Sequence, residues 1–228
     1  MNIARLKLYH FPATRSARVK WLLHELMDES EFDVQLVELY ELEQYGEPYR
    51  KKNPNHNVPM LDITTSDGQT RTMLESGAMV TFLADLYPEK GLAPAIDSSL
   101  RVDYLQMLYF GCSWMDMMLW QIRVQTHLLP EDQKDQRTID RYEEKFRSEV
   151  EPQLAERLER HDFILGNEFS AADCVMGQNV MWARAYGLCQ PEIFSRYISD
   201  FSKRPAFIKA YADAKNFKLQ PPSRPNPG

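Results

Sequence analysis

The stretch Asn53–Tyr87, NPNHNVPMLDITTSDGQTRTMLESGAMVTFLADLY, decides how the rest of the chain is read. Its polar first part ends in Val58-Pro59 and reads as a loop. A short apolar run follows, Met60-Leu61-Asp62-Ile63, and Asp67-Gly68 divides it from a second, Thr72-Met73-Leu74. Asp-Gly between two apolar runs is a hairpin signal, because the turn needs positive φ. Glu75-Ser76 stands where a helix should start. Met79, Val80, Leu83 and Leu86 recur at helical spacing after it, and Ser76 is of a type that caps. Loop, hairpin edge and helix N-terminus therefore converge on one spot. Free backbone N–H groups, a hydroxyl and a carboxylate meet there, which suits a small zwitterionic ligand.

Upstream, Ile3–Tyr9 alternate around Leu6 and Leu8 and predict a half-buried strand. After a break at His10-Phe11-Pro12-Ala13, Thr14–Leu26 predicts a helix that turns Val19, Leu22, Leu23 and Leu26 inward. Phe32, Val34 and Leu36 alternate as a second strand. Strand, helix, strand, linking segment, hairpin and helix together describe a thioredoxin-like α/β unit, residues 1–87. Residues 88–97, PEKGLAPAID, hold two prolines and a glycine and read as a linker.

From residue 98 to 218 helical spacing dominates. Leu105, Leu108, Cys112, Met115, Leu119 and Ile122 make one stripe; Tyr104, Met107, Gly111, Trp114 and Met118 make another beside it. So broad an apolar arc means either a helix buried on most sides or one facing both a core and a pocket. Ile139, Tyr142, Phe146, Val150, Leu154 and Leu158 form a further stripe, which Pro152 should kink or restart. Ser170-Ala-Ala-Asp173 is a capping-box variant opening a helix to about Gly187. Residues 219–228 are proline-rich and read as an extended or disordered tail, with packing over the cleft as the alternative.

The 228 residues, 43% hydrophobic and 11% aromatic, can build a globular core. A net charge of −6 without long single-sign blocks argues against a nucleic-acid surface. No apolar run reaches the roughly 20 residues of a membrane span, and the start lacks a signal-peptide core, so a cytoplasmic protein is expected. Cys112, Cys174 and Cys189 lack metal-ligand spacing and the five histidines do not cluster; no metal site is expected.

Asn53-Pro54-Asn55-His56-Asn57-Val58-Pro59, Glu75-Ser76 and the ending Leu86-Tyr87-Pro88 together resemble the glutathione-binding half of the cytosolic glutathione transferases. The resemblance runs from about Leu6 to Ala214, strongest in the first ninety residues. It implies a thioredoxin-like domain followed by an all-α domain, glutathione as co-substrate without metal, and a homodimer serving detoxification. It also implies that Pro59 is cis and that the Val58 backbone pairs with the cysteinyl unit. Glu75 and Ser76 would hold the γ-glutamyl end. Gln44, in the loop Tyr40–Gly46, and Asn57 would reach the glycine carboxylate, with Arg15 or Lys51 supplying positive charge. The thiolate would lie at the N-terminus of the first helix, stabilised by the dipole and a hydroxyl. The usual hydroxyl position falls at or beside Ala13. Thr14 is therefore the candidate donor, though Thr is equally a preferred cap; Ser16 is in reserve and Tyr9 ends the strand. Tyr109, Trp114 and Met118 would wall the site of a hydrophobic electrophile. A non-catalytic binding protein on the same fold, or a specialised isomerase, dehalogenase or ether-cleaving enzyme, are the rival readings.

Overall fold

The computed structural model describes residues 2–218, so the proline-rich tail lies outside the described residues. Strands β1 (Ile3–His10), β2 (Phe32–Leu36), β3 (Met60–Thr65) and β4 (Thr70–Met73) form one sheet in the order β2-β1-β3-β4. β1 and β2 run parallel, which requires a crossover, and helix α1 (Ser16–Leu26) provides it. β3 is antiparallel to both β1 and β4. The β3–β4 turn places Gly68 at φ 83°, the left-handed conformation that glycine adopts freely.

Alternation along β1 sends Leu6 and Leu8 to one face, where they meet Leu61, Ile63, α1 and helix α3 (Ser76–Leu86) in the main core. Tyr9 points to the other face. There it joins Phe11, Val37, Val58, Met60 and Tyr49 of the short helix α2 (Glu47–Arg50) in a second, smaller cluster.

The four expected positions of α1 are buried, but so are Arg18 and Trp21. An amphipathic pattern assumes one buried face; α1 has two, because the C-terminal helices cover the side turned away from the sheet. The Trp21 ring lies 5.3, 5.2 and 4.9 Å from those of Phe169, Phe201 and Phe207.

The helical half begins with α4 (Leu100–Tyr109) and α5 (Asp116–Arg123), joined into one rod by a π-helical segment, Phe110–Met115. Helices α6 (Gln136–Lys145) and α7 (Glu151–Arg160) are joined by a second, Phe146–Val150. This widened turn stands where Pro152, lacking an N–H, was expected to kink the helix. Helix α8 (Ala171–Arg184) is buried along almost its whole length and opens with a capping box; α9 (Glu192–Ser202) and α10 (Pro205–Ala210) close the bundle. A Cβ on Gly111 would fall 2.8 Å from Val175 Cγ1, so the α4–α5 rod touches α8 nearly backbone to side chain. Two forked ion pairs tie the halves together, Arg101 to Asp85 and Arg204 to Glu25.

Cys174 and Cys189 are buried hydrophobes, as expected, while Cys112 is only half-buried. Burial pushes all three thiols upward. No disulfide joins the described residues, no group of His, Cys, Asp or Glu among them could hold a metal ion, and none of their helices is long and apolar enough to cross a membrane.

Candidate functional site

The sheet register assembles the site. β1 and β3 pair as far as Tyr9 and Met60; β3 and β4 pair as far as Leu61 and Met73. Continuing those registers brings Phe11, Val58-Pro59 and Glu75 to one edge. The Val58–Pro59 peptide bond is cis. Its loop is fixed from below: Asn53 Nδ2 and the Tyr49 hydroxyl both donate to the Asn57 carbonyl, at 2.8 and 2.6 Å. Val58 is buried, yet its N–H and C=O make no hydrogen bond to another described residue. A buried peptide in that state is incomplete, because such groups are ordinarily paired.

Glu75 sits at the N-cap of α3 with φ 72°, a left-handed conformation that costs a non-glycine residue on the order of 1–3 kcal/mol. Its exposed carboxylate has no hydrogen bond to a described residue. The structure corrects the reading of Ser76 as the cap: Ser76 is the first helical residue, buried, and its Oγ accepts from Arg18 Nη1 at 3.3 Å.

At the third corner, the turn after β1 passes through Ala13 at φ 53° and delivers Thr14 half-buried at the front of α1. Helix α1 starts at Ser16 with Arg15 as N-cap, so Thr14 stands just outside it. The Thr14 hydroxyl donates to the Phe11 carbonyl at 2.8 Å and lies 2.8 Å from Ser16 Oγ.

Comparison with known proteins fits this geometry. Residues 8–91 match the family described as glutathione S-transferase, N-terminal domain, a span that contains all three corners. Over that domain, and there only, the sequence itself is similar to the glutathione S-transferase family. Solved structures extend the likeness of fold over more than nine tenths of the chain. A Burkholderia graminis glutathione transferase with two glutathione molecules bound per subunit is 24% identical, with 93% of this chain and 90% of that one covered at a TM-score of 0.79. A Pseudomonas putida glutathione transferase with one glutathione disulfide per subunit is 23% identical (91% and 90% covered, TM-score 0.76). One from Phanerochaete chrysosporium with oxidized glutathione is 23% identical (92% and 95%, TM-score 0.77). No curated protein sequence matches the chain.

Within the transferase fold, the remaining sequence candidates fall into place unevenly. Ser16 is displaced from the cleft. It is wholly buried behind Thr14, with its Oγ within hydrogen-bond distance of Phe11 N, Phe11 O and His10 Nδ1, so it cannot serve as a reserve donor at the surface. Tyr9 is likewise excluded: alternation puts it on the far face, where its hydroxyl donates to Asp62 at 3.0 Å and accepts from Lys52. Asn57 is exposed, but its Oδ1 accepts from Asn53 at 3.1 Å. Gln44 is buried and its Oε1 lacks a partner among the described residues. Arg15 pairs with Asp116, and Lys51 with Glu47 on the surface.

The proposed wall needs a larger correction. Met118 is wholly buried in the helical core and presents no surface. Trp114 is turned toward the α6–α7 rod, where its Nε1 donates to Glu149 at 3.2 Å and Lys145 lies over its ring. Tyr109 is largely exposed. The indoles that accompany the α1 N-terminus are Trp120 and Trp182, which flank the Arg15 guanidinium at 5.3 and 5.0 Å. A signal for this existed: Asp116, Trp120 and Arg123 recur at i, i+4 and i+7, a polar-aromatic stripe beside the apolar one.

Beneath the wall, Arg18 is wholly buried. Its Nη1 and Nη2 donate to Asp116 at 3.0 and 2.5 Å, its Nε donates to Gln178 at 2.8 Å, and Nη2 also reaches Asn179. Burial pushes the Asp116 carboxyl up, but Arg18 and Arg15 outweigh it and hold it below the usual range. The cluster thus links Ser76 of α3 to α1, α5 and α8 through one cation.

Proposed function

We propose that this chain is a glutathione transferase that binds glutathione along the sheet edge and uses its thiolate as a nucleophile. The observation that carries the reading is the unpaired Val58 peptide, set at the same edge as the free Glu75 carboxylate and the Thr14 hydroxyl. An extended peptide can complete Val58 as an added strand, its amine can pair with Glu75, and its carboxylate can take the α3 N-terminus and Ser76. The buried Gln44 Oε1 and Asn57 lie in the two loops left for the other end. The thiol would then face the front of α1, where the helix dipole and Thr14 favour the anion.

The thiolate would attack a hydrophobic electrophile, a peroxide or a disulfide. The Arg15 guanidinium beside Trp120 and Trp182 supports a flat or anionic second substrate, since it offers π faces and a cation together. The glutathione disulfide in one similar structure and the two glutathione molecules per subunit in another are in keeping with such a site. Met118 and Trp114 are withdrawn from it, and the exposed Tyr109 is kept as a candidate for its outer rim. Division into residues 1–87 and 98–218 about a linker at 88–97, a homodimer, a cytoplasmic location and a detoxifying role belong to the same proposal. A binding protein is the second reading, and Ala13 at the usual hydroxyl position is what favours it.

A titration with glutathione followed by tryptophan fluorescence tests the proposal; no binding at millimolar glutathione removes it. Thr14→Ala is expected to lower turnover at least tenfold, about 1.4 kcal/mol, with little change in glutathione affinity. Unchanged turnover would transfer the role to backbone donors. Glu75→Ala should act the other way and weaken binding; unaltered retention on immobilised glutathione would remove Glu75 from the site.

A further inference from the structure

The C-terminal segment after α10 returns to the turn that carries Thr14. Tyr40, in the loop between β2 and α2, exchanges hydrogen bonds with Lys218, accepting its N–H at 2.6 Å and donating to its carbonyl at 3.1 Å. Phe217 packs onto the Tyr9–Phe11 cluster and lies 5.2 Å from the Arg123 guanidinium, so the segment spans from the sheet side to α5. Asp213 reaches deeper. Its Oδ2 lies 3.1 Å from His10 Nε2 and accepts from Lys20 Nζ at 2.7 Å.

His10 is almost wholly buried at the end of β1, and its other nitrogen, Nδ1, lies 2.7 Å from Ser16 Oγ. Ser16 Oγ lies in turn 2.8 Å from Thr14 Oγ1. Four side chains therefore stand in line from a partly exposed carboxylate to the front of the first helix.

The number of protons available gives that line a direction. Burial pushes the Asp213 carboxyl up, but His10 and Lys20 outweigh it and bring it to about 2, so it is an anion that only accepts. Burial is also the largest influence on His10 and lowers it; the Asp213 hydrogen bond opposes this and the nearby Lys20 ammonium adds to it. The neutral ring has a single N–H, which sits on Nε2 and donates to Asp213. Nδ1 is then a lone pair, and at 2.7 Å it is nearer to Ser16 Oγ than the Phe11 carbonyl at 3.0 Å, so it takes the Ser16 proton. With its only proton committed, Ser16 Oγ accepts from Phe11 N–H at 3.1 Å, and it lies 2.8 Å from Thr14 Oγ1, whose proton rests on the Phe11 carbonyl and turns to Ser16 in the relay.

We infer that Thr14, Ser16 and His10 form a proton wire that carries the thiol proton of bound glutathione away from the cleft toward Asp213. The inference rests on the glutathione reading above. In the step, the S–H bond breaks and its proton joins Thr14 Oγ1. The original Thr14 proton passes to Ser16 Oγ, and the Ser16 proton passes to His10 Nδ1. A thiolate is left at the front of α1 and an imidazolium beside Asp213. One proton has moved and no electrons have been transferred. Asp213 is the exit: it is about 29% exposed, whereas His10 is sealed. Ser16 and His10 never touch the substrate, so they position and relay.

The test follows thiolate formation by stopped-flow ultraviolet absorbance after mixing the full chain with glutathione, beside an equilibrium binding titration. Ser16→Ala and Asp213→Asn are expected to slow thiolate formation at least tenfold while glutathione affinity stays within about twofold. Raising the concentration of imidazole buffer should restore the rate in Ser16→Ala, because an external base replaces the broken wire, and should leave the wild type unaffected. A purely structural role would not respond to buffer. Wild-type rates in both variants, or slow rates that imidazole does not restore, would overturn the wire. Asp213→Asn lies near the surface and keeps the test open if Ser16→Ala fails to fold. Absence of glutathione binding by the wild type is a different failure and removes the glutathione reading instead.

Discussion

Asp116→Ala is expected to destabilise the protein by about 3–5 kcal/mol, the cost of leaving a buried charge without its partner. Arg18 is wholly buried and cannot shed its proton in the folded chain. Asp116 takes both ends of its guanidinium and accepts from Arg15 Nε at 2.7 Å as well. With the carboxylate gone, Arg18 retains Gln178, Asn179 and Ser76, whose neutral oxygens hydrogen-bond the cation without neutralising it. The loss, read by urea unfolding, should therefore be larger than for either partly exposed pair on α6–α7, Lys145 with Glu149 or Arg147 with Glu143. Removing the charge too, in Arg18→Met combined with Asp116→Leu, should recover part of the stability. Full recovery is not expected, since Gln178 and Asn179 would lose their donor. A loss below about 1 kcal/mol in Asp116→Ala would mean that water reaches Arg18 and that the cluster is not the sealed joint described above. The single variant should also loosen Ser76, because Arg18 is what holds its hydroxyl; weaker glutathione binding by the folded fraction is the functional counterpart.

The second large effect is on packing. Trp21→Ala is expected to cost about 3–5 kcal/mol, as large aromatic deletions from a close-packed core do. The indole is wholly buried between the sheet-bearing half and the helical bundle, against Phe169 of the α8 entrance, Phe201 of α9 and Phe207 of α10. Gly177 fixes the fit: a Cβ there would meet Phe201 Cε1 at 3.0 Å and Trp21 Cζ3 at 3.3 Å. Because these contacts cross between the halves, the cavity cannot collapse by local rearrangement of either one. Trp21→Phe should lose less than Trp21→Ala, since it keeps a ring against the same neighbours. A Trp21→Ala protein that unfolds at the wild-type urea concentration would show that the two halves do not stabilise one another through α1. Calorimetry would be the complementary reading, with a single transition splitting toward two if the joint is what couples them.

The legible part of the site was the part that lies close together in sequence. Asp67-Gly68, Val58-Pro59 and Glu75-Ser76 fall within a single hairpin and its flanks, so turn chemistry and strand register suffice to bring them together. The capping box at Ser170 and Asp173 was readable for the same reason: its partners are three residues apart, with Ser170 N–H donating to Asp173 Oδ2 at 2.9 Å. Where a partner is distant, the pattern misled. Met118 looks like a wall residue on a helical wheel, and Trp114 looks better than Trp120, because spacing alone does not tell which side of a broad apolar arc faces the other half of the chain. The π-helical segment Phe110–Met115 also shifts phase within that rod, so a strict 3.6-residue step drifts off the true face.

By itself the sequence determined the α/β unit with its hairpin, the helical half, and the meeting of the Val58 loop with Glu75 at one sheet edge. Those features follow from local periodicity and turn preferences, which act over a few residues. Only the tertiary structure decided that Ser16 is buried, that Arg18 is clasped by Asp116, and that Asp213 reaches back over two hundred positions to His10. A buried charge or hydroxyl is defined by the partners that replace water around it, and those partners are chosen by how distant segments pack.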